Sequence, residues 1–414
     1  MSTAIVIGSG LAGLTAALRL DEAGFDTTIV TMGLGGLQLS QGTIDVLGYA
    51  PERVDNPLEA AGTRQDPHPY AVTGTAALAE GIDWIQRTLP DLLHGDGEHN
   101  VALPSVVGAM RPTALYQPSM ASGILRDGLD LSIVGIRQYK DFYPELIAGN
   151  LERQMTPDGG RVSARACWID FEVRDGECDS SAVTFARALD RDEGVRRLAW
   201  ALAKIPGAGP IGLPAVLGLK TPNVHERLRE LVGREVFEIP GLPPSIPGMR
   251  LNEALRALCT RRRIRLVQGA KVIGFDAADS RVSSIRTHAA GRDVDYPADV
   301  IIYAGGGFES GALEVTSHGR VRESIFGLPL ITPDGALVHG DYWGEEQPLF
   351  SVGVRTGSDM RACTEDGHVV YENLCVAGSL LAGSSRWDEK SGEGIALASA
   401  VAAVATASSM KEDQ

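Results

Sequence analysis

Ala4-Ile5-Val6-Ile7-Gly8-Ser9-Gly10-Leu11-Ala12-Gly13 decides the fold. Four consecutive apolar residues suit a strand of a parallel sheet, which is covered on both faces and so shows no alternation. Glycines then occupy the first, third and sixth places of a turn. Leu11, Leu14 and Leu18 recur at helical spacing, and Ala12 and Ala16 keep a second face small. Gly24 stands where a helix-ending glycine belongs, and Thr27-Thr28-Ile29-Val30 makes the next strand. In that setting Gly8 permits the tight turn, Gly10 lets the backbone approach a pyrophosphate, and Gly13 lets helix and strand pack closely. The helix N-terminus, where Leu11 and Ala12 lie, attracts the anion. The stretch therefore predicts a site for a phosphate-bearing cofactor, against the plainer reading of a glycine turn in a ligand-free α/β protein.

One expected part is missing. Such a unit normally ends its second strand in Asp or Glu, which holds a ribose hydroxyl pair. Here that place is Thr31, which offers one weak contact instead of two charge-assisted ones. Two cofactors remain open, FAD held by other contacts or FMN without the adenosine half.

Three further segments favour a flavin over a nicotinamide. Ala304-Gly305-Gly306-Gly307 follows the strand Val300-Ile301-Ile302-Tyr303, as a second glycine contact would. Gly269-Ala270-Lys271-Val272 is placed like a strand whose backbone meets an adenine, which makes Ala270 and Val272 candidates. Gly378 and Ser379 follow the apolar run Leu374-Cys375-Val376-Ala377, and Gly392-Glu393-Gly394-Ile395 opens a small-residue helix. A helix N-terminus there would stabilise negative charge on a reduced isoalloxazine ring.

The predicted fold class is α/β: a Rossmann-like, two-part FAD/FMN-binding domain with an inserted α+β cap/substrate domain. The flavin-binding part is expected at residues 1–70, 245–310 and 365–414, and the cap at 71–244 and 311–364. Helices are expected near 76–89, 184–205 and 250–262, and strands near 264–268, 271–276, 281–287 and 299–303. A chain of 414 residues, 44% hydrophobic and 22% charged, has material for more than one core. Its net charge of −15 excludes free nucleic acid as a partner, because nothing would offset phosphate repulsion. The five cysteines contain no C-x-x-C pair, so no metal site is expected and buried thiols in a reducing compartment are. Met1-Ser2-Thr3 leads into a strand without a basic n-region, and no apolar stretch reaches the ~20 residues of a spanning helix.

Several longer stretches carry a specific likeness. They include Gly10-Leu11-Ala12-Gly13-Leu14, Ile29-Val30-Thr31, Ser40-Gln41-Gly42-Thr43-Ile44-Asp45-Val46-Leu47, His68-Pro69-Tyr70, Leu242-Pro243-Pro244-Ser245 and Asn373-Leu374. Together they resemble the B subunits of the anaerobic glycerol-3-phosphate dehydrogenases, a family among the fumarate reductase and glucose-inhibited division type of flavoproteins. The resemblance covers essentially the whole chain, and Thr31 belongs to its pattern. It implies cofactor contacts at Ser40, Gln41 and Gly42, and an association with FMN, which makes FMN the expected cofactor and FAD the alternative. It implies oxidation of sn-glycerol 3-phosphate to dihydroxyacetone phosphate, with electrons passed toward quinone. An FAD-bearing A subunit and a membrane-associated iron–sulfur C subunit would be the partners, placing the chain in the cytoplasm at the inner face of the membrane. Ser384-Ser385-Arg386-Trp387-Asp388-Glu389 is more charged than that pattern leads one to expect.

Catalytic side chains are harder to read. Arg111, Arg187, Arg250 and Arg322 are candidates for binding a phosphate through paired contacts, and Arg250, just after a proline-rich loop, is preferred. For any one of them an ion pair is the plainer reading. His68 is a candidate base, since alcohol oxidation needs a proton acceptor. No His/Glu pair is evident. Two other readings stay open: a self-sufficient FAD oxidoreductase of fumarate reductase type, and a flavin-carrying electron-transfer or assembly subunit without a substrate site.

Overall fold

The computed structural model describes residues 2–341 and 344–412. The chain divides into two compact units. One is Met1–Gly36 with Asp45–Thr88 and Ala254–Gln414, the other Leu37–Ile44 with Leu89–Glu253. This departs from the expected boundaries at four places. Residues 71–88 and 311–364 group with the first unit, and residues 37–44 and 245–253 group with the second. The reasons are local pairings. Val354 bridges Leu381, and Arg361 bridges Cys375, which ties the 353–363 stretch to the strand beside it.

In the first unit the elements are β1 (Thr3–Ile7), α1 (Leu11–Glu22), β2 (Asp26–Thr31) and α2 (Pro69–Thr88). They continue with β3 (Arg265–Gln268), β4 (Val300–Tyr303), β5 (Leu374–Val376) and α3 (Gly392–Glu412). The strands lie in the order β3-β2-β1-β4-β5 and all pairs are parallel. Ile7 stands beside Tyr303, and Tyr303 beside Val376, so the C-terminal ends of β1, β4 and β5 are level. The strand order reverses between β1 and β4, which is where an open α/β sheet offers a crevice to a ligand.

The apolar runs read from the sequence are the buried strands. Ile5, Val6, Ile301, Ile302 and Leu374 are all buried. α3 packs against α1 and α2, and its alanines allow a close approach. Gly81 of α2 is one place that needs it, since a β-carbon there would lie 3.0 Å from that of Leu397. By length and composition α3 is apolar enough to cross a membrane, contrary to the expectation that no stretch qualifies. The serines at its centre and end hid this, and one of them, Ser399, turns its hydroxyl back to the Ile395 carbonyl at 2.5 Å. In the folded chain 61% of the most apolar window of α3 is buried against protein.

The second unit holds a separate four-stranded parallel sheet, ordered Val236–Ile239, Ile211–Pro214, Asp130–Ile136 and Ser163–Ile169. Where a single helix over 184–205 is predicted, two form, Ala182–Leu189 and Asp192–Leu202. The break has a cause. The Asp190 carboxylate accepts the amides of Leu219, Lys220 and Thr221, each at 2.9 Å, and its carbonyl accepts the Thr221 hydroxyl at 3.0 Å, so this residue serves a distant loop rather than a continuous helix.

Arg250 also proves to be a part of this scaffold. Its guanidinium donates to Glu238 at 2.6 and 3.0 Å, to the Gly218 carbonyl at 2.9 and 2.7 Å, and to Gln117 at 3.3 Å. Those five contacts use all five guanidinium N–H donors, so none is left for a phosphate. The residue preferred from the sequence as a phosphate ligand is a structural clamp. Glu238 is fully buried and also accepts from Ser119 at 2.6 Å and the Leu217 amide at 2.6 Å. Burial pushes its carboxyl up, but Arg250 and these donors outweigh that and hold it below the ordinary value. A depressed carboxylate stabilises the fold fully above its unfolded pKa, and that contribution fades as pH falls through its lower folded value. Glu238→Gln leaves a buried cation unpaired and should cost about 3–5 kcal/mol in urea unfolding at neutral pH. The variant should also lose less stability than wild type between pH 5 and 3; equal acid sensitivity would remove Glu238 as the source.

Candidate functional site

Three glycine turns meet at the level ends of β1, β4 and β5. Gly8 has a φ of +108°, and a β-carbon on it would run into the Ala304 carbonyl. The Ala304 amide donates to Ile7 at 2.9 Å, and the Gly8 amide to Val30 at 2.9 Å. A β-carbon on Gly13 would run into the Gly8 carbonyl. Both glycines are therefore required by packing alone. Gly10 differs. Its φ of −73° suits any residue, and a β-carbon on it would meet nothing within 4 Å. It caps α1 without any side-chain hydrogen bond, and the first turn holds no acidic residue. An uncapped helix start that adjoins open space is suited to a phosphate.

The other loops are drawn to the same place. A β-carbon on Gly378 would lie 2.9 Å from that of Ala12, and the Gly378 amide donates to Ser399 at 2.9 Å. This sets the Gly378–Ser379 turn on the first turn of α1. Gly305 rests on the Tyr303 ring, which would be 2.5 Å from a β-carbon. Gly306 is left-handed at φ +88° and held against Ser310. At the start of α3 the amides differ in what they already serve. The Gly394 amide donates to Asp45 at 3.0 Å and the Ile395 amide to Ser391 at 3.0 Å, so both are already engaged. Of Gly392, Gly394 and Ile395, Gly392 is the one with space around it, its nearest neighbour being the Arg386 β-carbon at 3.9 Å.

Thr31 does something the spacing did not reveal. Its hydroxyl donates to the Gly33 carbonyl at 2.9 Å and pairs with the Ser9 hydroxyl at 3.1 Å, and Ser9 in turn reaches Gly33 at 3.0 Å. It is buried and closes the turn after β2. The Thr31 carbonyl accepts the Ala270 amide at 3.2 Å, which brings buried Ala270 and Val272 to the end of β2.

Ser40, Gln41 and Gly42 belong to the second unit. Gly42 is left-handed and presses on Pro247, and Gln117 donates to the carbonyls of Gly42 at 3.0 Å and Pro247 at 2.8 Å. Ser40 accepts the Gly42 amide at 3.2 Å. The segment is thus rigidly set, while the buried Gln41 Oε1 has no hydrogen-bond partner. An orphaned acceptor of that kind suits a ligand donor.

A His/Glu pair exists after all. His68 Nε2 lies 3.1 Å from Glu389, and His68 Nδ1 accepts the Tyr70 amide at 3.1 Å. The amide fixes the tautomer, so Nε2 carries the proton and donates to the carboxylate. Ser391 also donates to Glu389 at 2.9 Å. Burial pushes the Glu389 carboxyl up, but His68 and Ser391 outweigh it and hold it below the usual range. With both His68 nitrogens engaged and Glu389 a weak base, this pair positions the loop before α3 instead of accepting a substrate proton. Arg111 donates to Thr43 at 2.8 Å, Arg322 is exposed and paired with Glu314 at 2.7 Å, and Arg187 is exposed.

Residues 3–395 match the FAD binding domain family. The chain is 30% identical over its whole length, and 99% of the relative's, to the probable B subunit of anaerobic glycerol-3-phosphate dehydrogenase from Halobacterium salinarum strain R1. It is 30% identical over 96% of each chain to the B subunit of anaerobic glycerol-3-phosphate dehydrogenase from Yersinia pseudotuberculosis. Among solved structures, 3-ketosteroid delta1-dehydrogenase from Sterolibacterium denitrificans covers 98% of this chain and 99% of its own, at 12% identity and a TM-score of 0.44.

The two kinds of glycine separate in a simple experiment. Gly13→Ala should lose about 1–3 kcal/mol of stability, from overpacking against Gly8. Gly10→Ala should stay within about 1 kcal/mol of wild type, the usual range for a cap change, yet bind flavin at least tenfold more weakly. Chemical unfolding and a flavin titration on both variants check this. Undiminished flavin binding by Gly10→Ala would take the loop out of the site.

Proposed function

The chain belongs to the family of anaerobic glycerol-3-phosphate dehydrogenase B subunits, and from that we propose that it is the flavin-carrying subunit of a glycerol-3-phosphate:quinone oxidoreductase. The observation that supports this most directly is the uncapped start of α1 beside open space at Gly10, with the Gly305–Gly306 and Gly378–Ser379 turns set around it. When bound, a flavin supplies the two-electron acceptor that oxidation of an alcohol to a ketone requires. Leu11 and Ala12 would hold the phosphate end through their amides, and the start of α3 near Gly392 would face the ring.

We read the cofactor as FAD. The matching family is one of FAD binding domains, and the expectation of FMN finds no support in it. That expectation rests on the resemblance and on Thr31, whose hydroxyl is occupied by Ser9 and Gly33. In this reading the residue at this place reports how the turn closes rather than how a ribose is held. The partners in this reading are an FAD-bearing A subunit and an iron–sulfur C subunit, through which the chain sits at the inner face of the cytoplasmic membrane. The engaged state of His68 favours a second reading, in which substrate oxidation is completed in a partner and this chain carries electrons.

The purified chain should release a flavin identified by mass as FAD. Anaerobic bleaching by sn-glycerol 3-phosphate in the lone chain supports the first reading, and bleaching that needs the partners supports the second. A chain that binds no flavin defeats both. Thr31→Val should cost about 1–2 kcal/mol of stability through its lost hydrogen bonds. It should leave the ratio of FAD to FMN affinity unchanged; a tenfold change in that ratio would restore a ribose contact at this position.

A further inference from the structure

The loop that runs from the Gly378–Ser379 turn to α3 holds two polar groups whose needs the protein does not meet. The Ser384 hydroxyl is buried and has no hydrogen-bond partner. Two residues on, the Arg386 side chain is only 27% exposed, and its ion pair with Glu309 is long, at 3.9 Å, beyond hydrogen-bond reach. Burial pushes the guanidinium pKa below its ordinary value, with Glu309 and Glu393 acting the other way. A half-buried cation without a hydrogen-bonding counter-charge is costly, and Arg250, by contrast, is saturated.

The place to which Arg386 reaches is what gives it meaning. Its Nη2 would lie 3.5 Å from a β-carbon on Gly307, and its own β-carbon 3.9 Å from one on Gly392. The side chain therefore runs from the start of α3 to the glycine turn after β4. The neighbouring carboxylates, Glu309 and Glu393, would repel an anionic cofactor at that point. The glycine turns themselves offer only amide dipoles.

We propose that Arg386 is a cofactor-binding group that pairs with the negative charge of the bound flavin nucleotide. This rests on the flavin reading above. The charge has two possible carriers, the phosphates or the reduced ring, and each gives a distinct signature.

The experiment compares wild type with Arg386→Gln and Arg386→Lys, measuring dissociation constants for FAD and for riboflavin and the midpoint potential of bound FAD. Loss of one charge-assisted contact should weaken binding about ten- to a hundredfold. If the phosphates are the carrier, FAD affinity falls in Arg386→Gln while riboflavin affinity is unchanged. If the ring is the carrier, the midpoint potential becomes more negative, because a cation favours the reduced, anionic form. Arg386→Lys, which keeps the charge, should recover much of either effect. The proposal is overturned if Arg386→Gln matches wild type in both affinity and potential, or if Arg386→Lys is as impaired as Arg386→Gln. Failure of the wild type to bind flavin would instead defeat the functional reading beneath it.

Discussion

A side chain has no room on Gly8, because the carbonyl of Ala304 occupies the place a β-carbon would take. Much of the first unit depends on that contact. It presses the end of β1 against the end of β4, where the strand order reverses. It also allows Gly13 to bring α1 down onto the Gly8 carbonyl. Once α1 is seated, its first turn receives the Gly378 turn against Ala12, and Ser399 of α3 ties that turn to the last helix. The open space at Gly10 is what remains when the glycines around it have been used for packing.

Charge is handled differently in the two units. In the second unit a buried carboxylate and a guanidinium satisfy each other completely, and the surrounding carbonyls take the remaining donors. Such a pair adds rigidity more than net stability. In the first unit the polar groups near the glycine turns are less self-sufficient. Glu389 is fully provided for by His68 and Ser391, whereas Ser384 and Arg386 are not. A site for an anion differs from a structural ion pair in this respect: its donors are built but not spent.

What could be read from the sequence was whatever is written locally. The β1–turn–α1 unit, the later strands and the glycine turns after β4 and β5 all show in short periodic stretches next to glycines. Contacts between distant residues were hidden. His68 and Glu389 are 321 positions apart, and neither has a neighbour that announces the other. Arg250 looked available because its partner Glu238 sits in a separate strand among apolar residues. Thr31 looked like a missing acid because spacing records which residue is present, not where its hydroxyl points. The stretch 311–364 was misassigned because its strands are only two or three residues long, too short to show any period.

The assembly of the main sheet bears on how the protein is made. β1 pairs with β4 about three hundred residues later, and α3, which covers α1 and α2, lies about ninety residues further on. The second unit has no such dependence, since nearly all of it is the continuous run Leu89–Glu253. During translation that run can collapse on its own core while β1 and α1 wait with their apolar faces uncovered. The run 89–253 can thus be folded while β1 and α1 are still unsheltered. Protection of that exposed start, by the ribosome surface or a chaperone, becomes a requirement of the topology.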